Sequence, residues 1–178
     1  AFTSTASTQR NDTTIKDCIF ANIITSQHLC LLQAGSGWML ENLKFYDAAS
    51  GCHGLALRCS HVNANDLYFE DMNGNSTIII KSDSGSGDAR NINISNVVCF
   101  TNVNGGGAAI LIQSVHASFV TENISIKNVT AYAAVKHQYK IQTQQTAGSC
   151  RYISVSNVIL NKNNDDAFDF EGGSYIVC

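Results

Sequence analysis

Histidine, lysine and the acids are the side chains here that could do chemistry, and their placing is specific. His53 stands beside Cys52 where a turn enters an apolar run, and Lys81 closes the run Ile78-Ile79-Ile80. A histidine so placed can hydrogen-bond a sugar hydroxyl or a carboxylate, or be a turn residue; an ammonium can hold a uronate carboxylate or be a solvated outward lysine. Asp165 and Asp166 form an adjacent acid pair. They read as general acid and base, or as a solvated acidic turn. Five histidines, at 28, 53, 61, 116 and 137, show no i,i+2 or i,i+4 pairing, and no C-x-x-C occurs among seven cysteines, so no metal site or cofactor is expected. Gly85 and Gly87 in SDSGSGD precede no helix and read as a turn rather than a phosphate cradle. Trp38, the only tryptophan, reads as packing under a loop, with a sugar-stacking platform as the alternative.

Such residues need a frame, and repetition supplies it. Six segments share an apolar-polar-Asn/Asp-apolar core, around Asp17, Asn42, Asp66, Asn96, Asn128 and Asn157. Each is followed by a second alternating run: HLCLLQA, GLALRCS, STIIIKS, AAILIQS, YKIQTQQ and AFDFEGG. Two short strands per repeat, with alternate residues such as Ile78 and Ile80, Ile110 and Ile112, or Phe168 and Phe170 facing one core, predict an all-β right-handed parallel β-helix of about six coils. The recurring Asn/Asp suits a turn with positive φ and amides stacked from coil to coil. The absence of proline fits backbone bonded on both sides.

The chain has 178 residues, 44% of them apolar and 14% charged, with a net charge of -3. That is one domain with a continuous core. It carries no basic footprint for nucleic acid and no apolar run long enough to insert in a membrane. Sequons begin at Asn11, Asn75, Asn93, Asn123 and Asn128. With the cysteines they point to a secreted, extracellular glycoprotein. Neither end of the repeat looks capped, so the solenoid is expected to be part of a longer one or to be covered by a partner, including other copies of itself.

CHGLALRCS at 52–60 and IIIKSDSGSGDARNINISNV one coil later carry a resemblance. Between 26 and 98 the chain resembles glycoside hydrolase family 28, the polygalacturonases and rhamnogalacturonases. His53 and Gly54 match the family's His-Gly, Lys81 matches the lysine of its R-I-K strand, and Ile79 stands where arginine is usual. The resemblance implies a parallel β-helix and a uronate-type polysaccharide as ligand, with His53 as the matched catalytic candidate and His53 and Lys81 binding substrate. It also implies a disulfide between Cys30 and Cys52. Independently of the resemblance, Cys150 and Cys178 stand 28 residues, about one coil, apart and are expected as a second pair.

The family's hydrolysing aspartates are missing: Gln27 and His28 stand on the paired positions. Glycoside hydrolysis needs one carboxylic acid and one carboxylate, and glutamine cannot ionise. Glu41, Asp47 and Asp66 match no family acid, and Asp165 and Asp166 lie four coils from His53, some 20 Å at about 4.8 Å per coil. The expectation is a degenerate hydrolase, a pseudoenzyme that recognises polysaccharide. The alternatives are a structural subunit of an extracellular filament or sheath, and a fragment of an active hydrolase.

Overall fold

The computed structural model describes residues 2–4, 11–23, 28–48, 51–72, 76–101, 108–137, 140–163 and 167–178. Among these every regular element is a β-strand, and the named strands pair in parallel. One ladder stacks β1 (Phe2–Ser4), β4 (His28–Leu32), β6 (His53–Leu57), β8 (Ser76–Ser82), the first part of β10 (Ala108–His137), the first part of β11 (Ile141–Asn163) and β12 (Phe168–Glu171). The other stacks β2 (Thr14–Lys16) and β3 (Ile19–Ile23), β5 (Ser36–Ala48), β7 (Ser60–Met72), β9 (Ala89–Thr101), the later parts of β10 and β11, and β13 (Ser174–Val177). The result is a β-solenoid, with about four turns in the body formed by β4–β5, β6–β7, β8–β9 and β10.

All six repeated Asn/Asp residues adopt the left-handed conformation, with φ between 52° and 56°. Such a residue bends the strand, and its short polar side chain tolerates the region better than most. The amides then form a column across coils: Asn42 donates to Asp17 at 2.6 Å, Asn96 to Asn65 at 2.9 Å, Asn128 to Asn96 at 2.9 Å and Asn157 to Asn128 at 3.1 Å. Each bend also resets the pleat. In β5, Trp38 and Leu40 face the core before Asn42, and Leu43 and Phe45 face it after. Phe20, Phe45 and Phe69 stack inside, with ring centroids 5.0 and 4.5 Å apart.

Ile78, Ile80, Ile110 and Ile112 are fully buried as alternation requires. Phe168 and Phe170 keep the register, opposite Ile141 and Thr143, yet are 39% and 37% exposed because no described strand lies beyond β12. Trp38 is a core residue whose indole N–H donates to the Ala34 carbonyl at 3.3 Å, which removes it as a sugar platform.

All seven cysteines are free thiols, which corrects both expected disulfides. Cys30 stacks on Leu55, three residues beyond Cys52. At about 3.3 Å per residue that is roughly 10 Å along the strand, beyond the reach of about 7 Å between bridged Cα atoms. Cys150 precedes Arg151, which pairs with Ser174, so Cys178 lies four residues past that pair. One coil of separation in sequence did not mean one position in register.

Candidate functional site

Plain alternation would put His53 and Lys81 on opposite faces. Lys81 aligns one residue past the Leu57–Ile80 pair, with Arg58, and Arg58 is five positions after His53. A slip in the pleat reconciles them. Consecutive residues Leu29–Cys30, Gly54–Leu55, Thr77–Ile78 and Ala109–Ile110 are all buried at one place in four coils. At Gly54 the cause is steric: a Cβ there would lie 2.9 Å from two Phe69 ring carbons and from the Thr77 carbonyl oxygen, so the position faces inward and only glycine fits. His28 and His53, one residue before the slip, therefore join Arg58 and Lys81 on the outer face of β4, β6 and β8.

The imidazoles of His28 and His53 stack, centroids 5.1 Å apart. His53 Nδ1 lies 3.2 Å from the Ser76 carbonyl oxygen, which can only accept, so Nδ1 carries the hydrogen and Nε2 the lone pair. Arg58 Nη2 lies 3.4 Å from His28 Nε2, which must accept because guanidinium only donates. His28 Nδ1 and Arg58 Nε are buried without a hydrogen-bond partner. Arg58 Nη1 and Lys81 Nζ approach the same Asp83 oxygen at 3.4 and 3.8 Å. Asp83 is held in turn by Ser86 Oγ at 2.9 Å and the Gly85 amide at 3.0 Å.

These neighbours set the charges. Burial lowers the His28 pKa to about 4, helped by His53 and by the cations Arg58 and Lys81. Burial also lowers that of His53; the Ser76 carbonyl works against it, and Arg58 and Lys81 push the same way as burial. Both rings are neutral at pH 7. Burial pushes the Asp83 carboxyl up, but the bonds from Ser86 and Gly85 and the charges of Arg58 and Lys81 together hold it below its ordinary value. Beyond the turn opens a polar cleft of about 410 Å³, lined by residues that include Gln33, Ser36, Ser60, Ser86 and Asp88.

The two residues carrying the resemblance, His53 and Lys81, thus share one site with His28. Arg58 and Asp83, which sequence reasoning missed, complete it. Glu41 is on the other ladder, paired with Lys16 at 3.0 Å, and Asp47 and Asp66 sit there at left-handed bends. Gln27, Asn75, Asp165 and Asp166 lie outside the described residues. Asn11, Asn93, Asn123 and Asn128 are exposed. Among the described residues no group of three His, Cys, Asp or Glu could hold a metal ion. No family model, curated protein or solved structure matches the chain.

Proposed function

We propose that this chain is a secreted glycoprotein resembling glycoside hydrolase family 28, a right-handed β-helix of about six coils, that recognises an acidic extracellular polysaccharide without hydrolysing it. The observation that carries the reading is the convergence of Arg58, Lys81 and two neutral imidazoles around one carboxylate on the outer face of β4, β6 and β8. Two cations facing a single Asp83 leave positive charge for a uronate carboxylate. The adjoining cleft offers amide and hydroxyl groups of the kind that bond sugar hydroxyls. Hydrolysis would need a carboxyl pair flanking one glycosidic bond, and Asp83 is the one carboxylate that the described contacts bring to this cluster.

Calorimetric titration with oligogalacturonate tests this. Binding is expected to weaken as salt is raised, and Arg58→Gln and Lys81→Gln are each expected to lose about tenfold in affinity, since about 1.4 kcal/mol is tenfold. Equal affinity for a neutral glucan would contradict it. A second reading, a subunit of an extracellular filament, draws on the exposed Phe168, Phe170, Tyr175 and Val177 of β12 and β13. Concentration-dependent filaments in the absence of sugar binding would favour it.

A further inference from the structure

A site made only to hold an anion would gain from protonated imidazoles, yet this one keeps two neutral rings against its cations. Neutral imidazole beside fixed positive charge is the equipment for removing a proton next to a carboxylate. In a 4-linked uronate, C5–H lies α to the carboxylate, and neutralising that carboxylate makes C5–H more acidic. A base can then take the C5 proton. The electron pair becomes the C4=C5 double bond, the C4–O4 bond breaks, and O4 departs and takes up a proton. No water is consumed and no second carboxylate is needed.

We propose that the chain cleaves an acidic, 4-linked polysaccharide by β-elimination at this site, with His53 Nε2 as the base and Arg58 and Lys81 as the counter-charge to the uronate carboxylate. The inference rests on the acidic-polysaccharide reading above. The Ser76 carbonyl fixes His53 in the tautomer whose Nε2 has a free lone pair. The rings stack at 5.1 Å and the guanidinium reaches to 3.4 Å from His28, so His28 links the base to the counter-charge. Asp83 occupies Arg58 and Lys81 in the free protein, and the incoming carboxylate shares or displaces it. The proton taken by His53 passes to the departing O4 or to solvent.

The test incubates the wild-type chain with polygalacturonate from acid to alkaline pH and follows the ultraviolet absorbance of unsaturated uronate, the product masses and, by calorimetry, binding. Products lighter by one water than hydrolytic ones are expected, with slower release from C5-deuterated substrate. His53→Gln is expected to lower the rate by about 10²–10⁴, the usual worth of a positioned base, while affinity changes less than about tenfold. Lys81→Gln serves as the second variant and is expected to lower rate and affinity together. Binding without unsaturated product at any pH refutes the elimination and leaves recognition standing. Absence of binding refutes both. Products that incorporate labelled water oxygen also overturn the elimination.

Discussion

Replacing Asn128 separates the two duties of the repeated asparagine. Its φ is 56°, its amide donates to Asn96 at 2.9 Å, and its oxygen accepts from Asn157 at 3.1 Å. Asn128→Ala loses both bonds. These are solvent-exposed, so the low end of about 0.5 kcal/mol each applies. It also leaves a Cβ-bearing residue without a polar side chain in the left-handed region, at about 1 kcal/mol. The expected loss is about 2 kcal/mol. Asn128→Gly loses the same bonds but relieves the backbone, so about 1 kcal/mol is expected, with a few tenths added for glycine's entropy. Urea unfolding followed by both circular dichroism and tryptophan fluorescence measures each, and coincident transitions justify the two-state comparison. A glycine variant as destabilised as the alanine one would refute the backbone part of the argument. An alanine variant of wild-type stability would refute both parts.

Gly54→Ala is expected to cost about 1–3 kcal/mol by overpacking against Phe69 and the Thr77 carbonyl, read from the urea midpoint. His28 has a folded pKa of about 4 against an ordinary 6.5, so between those values the unfolded chain binds a proton that the folded chain refuses. Stability therefore falls as pH drops from 6.5 towards 4. The shift corresponds to at most about 3 kcal/mol, discounted to about 1–2 kcal/mol because the ring is only partly buried; His28→Gln is expected to flatten this part of the profile, and an unchanged profile would count against the assignment. Burial raises the Cys30 and Cys59 thiols to about 12 and Cys150 to about 11, so thiol reagents are expected to modify them slowly in native protein. Denatured, unreduced protein is expected to titrate all seven cysteines, and two or more missing would restore a disulfide.

The strand runs and the six bends were legible because period-two alternation and Asn at a fixed place each have one simple physical use. A second row of left-handed residues, five positions before the bends, at Asp12, His61, Asn91, Asn123 and Tyr152 and continued at Tyr175 opposite Tyr152, was not legible, since histidine and tyrosine do not announce that conformation. The disulfides misled because spacing measures coils and not register, and Cys30 meets Leu55. His53 and Lys81 could be singled out, but not their neighbours. Arg58 reaches across to His28 and Asp83 folds back on Lys81 through a turn, contacts with no sequence period. The slip at Gly54 that puts the histidines on the outer face is visible only once Phe69 is seen packed behind it. The remaining signal was GLALRC itself, where Arg58 continues the outward phase of Ala56 and so belongs beside Lys81.

Binding of an acidic sugar on the outer face of β4, β6 and β8 would place it against two histidine rings. Histidine-ring NMR during titration with trigalacturonate addresses it directly, because His28 and His53 lie in the site while His61 bonds Asn91 on the other ladder and His116 packs against Phe119. Saturable shifts of the His28 and His53 resonances are expected, abolished by Arg58→Gln, with His61 and His116 unmoved. Shifts confined to His61 or His116, or none at saturating sugar, would contradict it.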